Sequence, residues 1–180
     1  MIKNVGVYCS ASPRVDPIYK EAASQLGLLL AQNNLRMIYG GGAVGLMGTT
    51  AQAVLENGGE VRGFTTSLLV KIEGIQTNLS HLEIVDNMYI RKQKMEENAD
   101  AFIVLPGGFG TLDELFETLT LRQLNIHKKP IIVVNFQGYW SLLKALFNSV
   151  IDQNFALPHE RTFITFVETP QQAINYLKHC

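Results

Sequence analysis

The stretch "AFIVLPGGFGTLDELFETL" (residues 101–119) runs from a continuously apolar segment, "AFIVLP" (101–106), through a glycine-rich turn into a segment of helical period. A short uninterrupted apolar run is typical of a strand that is buried on both faces of a sheet. The next segment carries apolar residues at i, i+3, i+4 and i+7, as a helix packed on a sheet does. These residues are Leu112, Leu115, Phe116 and Leu119. The stretch therefore predicts a buried strand, a glycine turn and a covering helix over 111–125.

The same alternation extends along the whole chain. The strand candidates are residues 4–9, 35–40, 60–65, 81–86, 101–106, 130–136 and 161–167, and the helix candidates are 17–33, 45–57, 88–99, 111–125, 139–153 and 170–178. Residues 66–80 are the least regular and predict a loop or short helix near the site. Repeated βαβ units are right-handed and build parallel sheets. We therefore expect one domain over residues 1–180 of the α/β class: a Rossmann-like, doubly wound, mostly parallel sheet of about six or seven strands with helices on both faces.

Composition excludes several classes of protein. The chain has 180 residues, 47% of them hydrophobic, which suffices for one core without disulfides or metals. Its net charge is −1, and the basic residues are dispersed, so neither nucleic acid nor a membrane surface is an expected partner. Cys9 and Cys180 form neither a disulfide framework nor a zinc motif. With no apolar leader or long apolar run, we expect a soluble cytoplasmic protein that binds a small molecule or another protein.

Glycines cluster after two of the predicted strands. "YGGGAVGLMG" contains Gly40, Gly41, Gly42, Gly45 and Gly48, and "PGGFGT" contains Gly107, Gly108 and Gly110. In open parallel sheets, ligands bind where such loops meet, and a helix N-terminus behind a glycine loop favours an anion. Two loops suggest a phosphate with an attached sugar, although the glycines could also serve only to make tight turns. Neither loop is a dinucleotide or P-loop fingerprint, and the acidic ribose ligand of dinucleotide-binding folds is not clearly placed.

Charged residues accompany the second glycine loop. Glu114 lies in the first helical turn after it, and Glu117 shares its face. That face continues into apolar Leu121 and Leu124, which suggests a cover such as a second subunit, although a solvated helix face explains the acids equally well. In "MYIRKQKM" the basic pair Arg91 and Lys92 interrupts an apolar stripe formed by Met88 and Met95. The pair could extend to solvent or turn inward to meet a phosphate or a carboxylate.

These motifs resemble those of the Lonely Guy (LOG) family, the cytokinin riboside 5′-monophosphate phosphoribohydrolases, which have often been mislabelled lysine decarboxylases. "PGGFGTLDE" matches the family signature P-G-G-x-G-T-x-x-E, and "MYIRK" is similar to its M-H-x-R-K element. "GGGAVGLMG" and "LRQLNIHKKPIIVVNFQGYW" also resemble family segments, and the likeness runs from about residue 4 to residue 153.

The resemblance implies hydrolysis of the N-glycosidic bond of a purine nucleoside 5′-monophosphate, such as AMP or an N6-modified analogue in cytokinin biosynthesis. It implies catalytic roles for Glu114 and Arg91, no cofactor and no metal, and a homodimer with the site near the interface. A carboxylate is suited to stabilise the oxocarbenium-like state of this reaction. The expected substrate-binding residues are Met88, Lys92, Gly41, Gly42, Gly45, Gly107, Gly108, Phe109, Gly110, Thr111, Glu117 and Thr120.

One departure affects specificity, because Tyr89 stands where the family has histidine in M-H-x-R-K. His127 is expected to be structural, and Cys9 and Ser10 could reach the site but have no adjacent base. Two other functions remain open: a nucleotide or cofactor carrier of the same fold, as in the related molybdenum-cofactor-binding proteins, and a pyridoxal-dependent lysine decarboxylase. The decarboxylase needs a Schiff-base lysine for which the sequence offers no clear candidate.

Overall fold

A computed structural model describes residues 2–76 and 78–180. Residue 1 and residue 77, the latter inside the predicted irregular segment 66–80, lie outside the described part. The strands are β1 (Asn4–Tyr8), β2 (Arg36–Tyr39), β3 (Val61–Thr66), β4 (His81–Val85), β5 (Ala101–Val104), β6 (Ile131–Val134) and β7 (Ile164–Val167). The helices are α1 (Pro17–Gln32), α2 (Gly45–Glu56), α3 (Ser67–Glu73), α4 (Met88–Asn98), α5 (Phe109–Gln123), α6 (Ser141–Asp152) and α7 (Pro170–Leu177).

The seven strands form one sheet in the order β4-β3-β2-β1-β5-β6-β7, and every neighbouring pair is parallel. The chain winds outward from β1 to β4, returns through α4 to the centre, and winds outward again from β5 to β7. The Rossmann-like, doubly wound fold expected from the sequence is therefore confirmed. A switch in winding direction between β1 and β5 leaves a crevice at the carboxyl ends of these two strands.

Two apolar layers cover the sheet. Helices α1, α2 and α7 pack on one face, where Leu26, Met37 and Ile174 are buried. Helices α4, α5 and α6 cover the other face around Phe102 and Leu115. Within the described part of the chain, no helix combines the length and the apolar character that a membrane crossing requires.

Several boundaries differ from the sequence-based expectation. The residues from 158 to 162 form a short 3-10 helix, so the last strand is limited to β7. Residues 66–80 were expected to form a loop or a short helix, and they contain the short helix α3. Helix α5 begins at Phe109 rather than at Thr111, since the glycine turn itself enters the helix.

Candidate active site

A cavity of about 260 Å³ lies at the carboxyl ends of the central strands. The loop after β1 contributes Cys9 and Ser10, and the first turns of α5 contribute Gly108, Gly110, Thr111 and Glu114. Further parts of the wall come from Met88 and Arg91 of α4 and from Glu73 at the end of α3. We call this space the glycine-loop cavity. It occupies the position where doubly wound sheets bind their ligands.

Arg91 and Glu114 form an ion pair in the wall of this cavity. Nη1 of Arg91 donates to Oε1 of Glu114 at 2.9 Å, and the exposed fractions of the two side chains are 4% and 12%. Nε of Arg91 donates to the carbonyl oxygen of Phe64 at 3.1 Å. Arg91 therefore does not extend to solvent; it turns inward to a carboxylate, one of the two partners expected from the sequence.

Two opposing effects act on the pKa of the Glu114 carboxyl group. Burial raises the pKa of Glu114, while the adjacent Arg91 guanidinium opposes this rise by stabilising the carboxylate. Burial also raises the pKa of the Cys9 thiol. Cys9 is thus held protonated beside the cavity, which argues against a thiolate nucleophile there.

The second glycine loop presents the N-terminus of α5 to the cavity. Gly108 is the N-cap residue, and no described side chain caps this helix end. A Cβ at Gly108 or Gly110 would meet no described atom within 4 Å, whereas one at Gly107 would collide with Thr111. The N-terminus of α5 therefore has no side-chain cap and has open space over Gly108 and Gly110, and an uncapped helix N-terminus of this kind is suited to bind an anion such as phosphate.

The first glycine loop packs against the protein itself, mainly against the backbone that follows β1. The N–H groups of Leu46 and Met47, at the start of α2, donate to the carbonyl oxygen of Ser10 at 2.8 and 3.2 Å. Gly45 has a φ of 63°, and a Cβ there would lie 2.6 Å from the Ser10 carbonyl oxygen. Gly41 lies against Thr65. At Gly45, the tight-turn interpretation of the glycines is therefore the one that the contacts favour.

Gly40 and Gly42 have a different purpose, because charged side chains pass over them. A Cβ at Gly40 would overlap Nη2 of Arg91, and one at Gly42 would lie 3.0 Å from Oε2 of Glu73. The first loop thus leaves room for two of the charged groups that line the cavity.

Lys92 is directed away from the glycine-loop cavity. Its Nζ atom lies 3.0 Å from Asp113 and 2.7 Å from Glu117, so two carboxylates neutralise it. Thr120 is also outside this cavity, and its hydroxyl donates to the carbonyl oxygen of Phe116 at 2.7 Å. Lys92, Glu117 and Thr120 line a neighbouring open groove on the outer side of α5. Lys92 and Glu117 also line a second cavity, of about 270 Å³, that Glu114 shares.

The predicted apolar stripe of α5 is wrong at one position. Leu115 is fully buried against the sheet, and Leu112 and Leu119 pack partly against the same core, but Phe116 remains 41% exposed. Phe116 faces sideways, because α6 leaves an apolar groove beside α5. Together with the 92% exposed Phe109 and the 86% exposed Leu142, it lines that groove.

The histidine and tyrosine that the sequence singled out lie outside the cavity. Nε2 of His127 lies 3.1 Å from the carbonyl oxygen of Thr118, and Nδ1 accepts from the N–H of Lys129 at 3.2 Å. Both ring nitrogens are thus used by the backbone, which agrees with the expected structural role. Tyr89 is exposed on α4.

Glu73 was missed by the sequence-based reasoning. It lies in the irregular segment 66–80, where no periodicity indicates which side chains turn inward. Burial raises the pKa of this carboxyl group, and Arg91 opposes the rise. The sequence offers one indication of its position, because residues 66–80 were expected to lie near the site.

A parallel sheet with a carboxylate–guanidinium pair beside an open helix N-terminus, at the switch in winding direction, defines a Rossmann-like protein with a charged cavity at the usual ligand position of this fold. The family model described as "Possible lysine decarboxylase" matches residues 47–177. The chain is 38% identical over 176 residues to the cytokinin riboside 5′-monophosphate phosphoribohydrolase LOG7 of Arabidopsis thaliana, covering 98% of this chain and 81% of that protein. It is 40% identical over 167 residues to the probable enzyme LOGL5 of Oryza sativa subsp. japonica, covering 93% and 68%. The chain therefore belongs to the LOG family.

Solved structures share the fold at low identity. The molybdenum cofactor carrier protein of Chlamydomonas reinhardtii has a TM-score of 0.77 at 17% identity, covering 99% of this chain and 98% of that chain. The molybdenum cofactor binding protein of Rippkaea orientalis has a TM-score of 0.75 at 19% identity, covering 99% and 97%. These similarities establish the fold alone.

The residues do not fit the cofactor of a lysine decarboxylase. Pyridoxal phosphate requires a lysine that forms a Schiff base with it. The described residues around the glycine-loop cavity include no lysine, and the nearby Lys92 is paired with Asp113 and Glu117. The cavity therefore does not support the lysine decarboxylation that the description of the family model suggests.

Proposed function

We propose that this protein hydrolyses the N-glycosidic bond of a purine nucleoside 5′-monophosphate and releases the free base and ribose 5-phosphate. The observation that carries the proposal is the Arg91–Glu114 pair, buried beside the open N-terminus of α5. The names of the LOG relatives, which are riboside 5′-monophosphate phosphoribohydrolases, support the same reaction.

The two ends of the cavity suit the two ends of such a substrate. The phosphate would accept hydrogen bonds from the N–H groups of Gly108 to Thr111, where the helix dipole favours negative charge. A phosphate held there leaves the ribose facing Glu114, one helical turn further along α5. The phosphate contact thereby supplies binding energy that orients the sugar for reaction.

Glu114 is the group that we assign to the reacting carbon. As the bond from C1′ to the purine nitrogen breaks, its electron pair leaves with the base and positive charge develops on C1′ and the ring oxygen. The Glu114 carboxylate stabilises this charge and accepts a proton from the water whose oxygen bonds to C1′. A proton returned to the departing nitrogen completes the hydrolysis.

Arg91 is assigned a positioning role in addition to any contact with the substrate. Its hydrogen bonds to Phe64 and Glu114 use Nε and Nη1, and they hold the carboxylate toward the cavity. The guanidinium also offsets part of the cost of burying the Glu114 charge. Met88 and Thr111 line the same cavity and are proposed substrate contacts.

The remaining expected contacts are grouped by position. Gly107, Gly108, Gly110 and Thr111 belong to the proposed phosphate site. Gly42 leaves room for Glu73 of the cavity wall, whereas Gly41 packs against Thr65 and Gly45 against the Ser10 carbonyl oxygen. Lys92, Phe109, Glu117 and Thr120 line the outer groove, and Lys92 and Glu117 also line a second cavity that Glu114 shares.

A homodimer is supported by the apolar groove between α5 and α6. Phe109, Phe116, Leu142 and Leu146 are exposed along it, and Leu124 extends exposed apolar surface beyond the end of α5. An isolated monomer rarely exposes a contiguous apolar patch of this kind. The two free cysteines agree with a reducing cytoplasmic location.

The direct test is to incubate the protein with purine and pyrimidine nucleoside 5′-monophosphates, with and without N6 substituents, and to separate released base by chromatography. We expect base release from AMP or from an N6-modified AMP. If every nucleotide binds but none is cleaved, the protein is a carrier instead of a hydrolase.

A further inference from the structure

Tyr139 contacts the second glycine loop from outside the glycine-loop cavity. Its hydroxyl donates to the carbonyl oxygen of Gly107 at 2.7 Å, and this hydrogen bond joins the turn after β6 to the loop after β5. Tyr139 is not among the described residues that line the glycine-loop cavity; it lines the apolar groove between α5 and α6 and is 43% exposed. The residue can therefore affect a ligand in the cavity only through the loop that it contacts.

The turn after β6 fixes the position of the Tyr139 ring. Oδ1 of the buried Asn135 accepts from the N–H of Trp140 at 2.7 Å, which ties the end of the turn to its beginning. The ring of Tyr139 packs edge-to-face on two other rings, with centroid distances of 5.5 Å to Tyr19 and 4.8 Å to Trp140. Edge-to-face pairs are favourable and have a defined geometry. The hydroxyl is thus presented to the loop by a ring that its neighbours hold in place.

Three successive carbonyl oxygens of the loop each accept a hydrogen bond. The N–H of Ser10 donates to the carbonyl oxygen of Pro106 at 3.1 Å. The N–H of Leu112 donates to that of Gly108 at 3.0 Å. The carbonyl oxygen between these two accepts from the hydroxyl of Tyr139. Of the three donors, Tyr139 alone uses a side chain, so the middle peptide unit depends on the identity of that residue.

The hydrogen bond at Gly107 determines where the N–H of Gly108 points. A peptide unit is planar and trans, so its carbonyl oxygen and its N–H point in opposite directions. With the carbonyl oxygen directed to Tyr139 on the groove side, the N–H is directed to the opposite side, where Gly108 lines the cavity. Two consecutive glycines restrict backbone rotation very little, and a Cβ at Gly108 would meet no described atom within 4 Å. The Tyr139 hydroxyl therefore opposes a reversal of this peptide unit.

We propose that Tyr139 is a positioning residue for the substrate phosphate, because its hydroxyl holds the peptide unit between Gly107 and Gly108 with the N–H facing the phosphate. This inference rests on the proposed function, in which the N-terminus of α5 binds the phosphate. Without the hydroxyl, the peptide unit also adopts the reversed orientation, in which a carbonyl oxygen faces the phosphate and repels it. Only the fraction of molecules with the N–H inward then binds well, and the apparent affinity falls by that fraction.

The test compares Tyr139→Phe with the wild type by calorimetric titration with ribose 5-phosphate and with adenine, the two proposed products. Tyr139→Phe removes the hydroxyl and keeps the ring. We expect the Kd of ribose 5-phosphate to rise by about 2- to 12-fold, the range of one neutral hydrogen bond, whereas the Kd of adenine should not change. The matched control is Tyr176→Phe, which removes the hydroxyl of a partly exposed tyrosine on α7 and should leave both constants at their wild-type values.

Steady-state kinetics with AMP provide a second readout. Tyr139→Phe should raise the KM for AMP by the same factor as the Kd of ribose 5-phosphate, while kcat stays close to the wild-type value, because Arg91 and Glu114 keep their contacts. A merely structural role would instead lower thermal stability and leave the affinity for phosphate unchanged.

The outcomes separate this inference from the proposed hydrolysis. An equal loss of affinity for ribose 5-phosphate and adenine, or no loss for either, would overturn the role of Tyr139 and leave the hydrolysis standing. A selective loss for ribose 5-phosphate, in a protein that releases no base from any nucleotide, would overturn the hydrolysis and support the role of Tyr139. A wild type that binds neither ribose 5-phosphate nor AMP would overturn both.

Discussion

Arg91 holds Glu114 in the cavity wall through a hydrogen bond of 2.9 Å between Nη1 and Oε1. The two residues come from α4 and α5, on the two sides of the switch in winding direction. Because both side chains are largely buried, neither charge can be removed without changing the environment of the other. The predicted effects of substitutions at this site follow from this coupling.

Glu114→Gln should separate catalysis from folding. The amide oxygen can still accept from Arg91, but it cannot stabilise positive charge or accept a proton. We expect turnover to fall on the order of 100-fold or more, with nucleotide binding retained. Steady-state kinetics and calorimetric titration with AMP measure the two quantities.

Glu114→Ala provides the matched contrast, because it removes both the charge and the hydrogen-bond acceptor that face the buried Arg91 guanidinium. We expect this variant to lose about 3 to 5 kcal/mol of stability, and Glu114→Gln to lose less, because its amide oxygen still accepts from Arg91. Urea unfolding of the three proteins checks the difference. Equal stability of the two variants would contradict the pairing described here.

The acidic limb of the pH profile should reflect the raised pKa of Glu114. Activity requires the carboxylate, so kcat/KM should fall as the pH drops through a pKa above the usual glutamate value of about 4.3. Since Arg91 opposes the rise, Arg91→Gln should move this limb to higher pH, and the charge-conserving Arg91→Lys should move it less. Profiles of residual activity at high enzyme concentration measure the shift.

The pKa of Glu73 is also raised, so its contribution to the acidic limb must be separated from that of Glu114. The profile of Glu73→Gln should retain the limb that belongs to Glu114. Because Arg91 lowers the pKa of both carboxyl groups, both limbs should move in Arg91→Gln, and a limb that disappears in Glu73→Gln would assign the titration to Glu73 instead.

Sequence patterns predict the features that depend on local periodicity. The alternation of apolar runs and helical segments is sufficient for the doubly wound sheet, and the basic pair inside the α4 stripe indicates that Arg91 is unusual. The partners of these charges depend on how α4 and α5 pack. Lys92 therefore meets Asp113 and Glu117, whereas Arg91, its neighbour in sequence, reaches Glu114.

The exposure of Phe116 and the position of Glu73 also depend on tertiary packing. Helical period places Phe116 beside Leu112, but it does not specify how far α6 lies from α5. The segment that carries Glu73 is held at its two ends by hydrogen bonds of Thr66 and Gln76, and the latter reaches α2, a tertiary contact that a periodic pattern does not show.

Gly40→Ala should disturb catalysis through Arg91. A Cβ at this position would overlap Nη2 of Arg91, so the guanidinium must shift and the Glu114 carboxylate loses its fixed position. A displacement near 1 Å typically costs about 100-fold in rate, so we expect kcat to fall between 10- and 100-fold. Initial rates with AMP, together with thermal unfolding, measure the effect.

A double-mutant cycle isolates the cause of that loss. If Gly40→Ala acts by moving the guanidinium, Gly40→Ala/Arg91→Ala should be no slower than Arg91→Ala alone. Additive losses would show that residue 40 affects the site by another route, such as a general shift of the first glycine loop.

Leu142→Glu should disrupt the proposed homodimer. Leu142 is 86% exposed beside Phe109 and Phe116, so the substitution should not harm the core of the monomer. A charge buried in an apolar interface is strongly unfavourable, and we expect a monomer where the wild type is a dimer. Size-exclusion chromatography with light scattering distinguishes the two states.

Ile84→Glu is the matched control, because Ile84 is an exposed apolar residue on β4, at the edge of the sheet far from α6, and this variant should remain dimeric. A monomeric wild type, or a dimer that persists in Leu142→Glu, would refute this face as the interface. If the outer groove continues the active site of the partner subunit, the monomeric variant should also lose activity while its thermal stability stays close to that of Ile84→Glu.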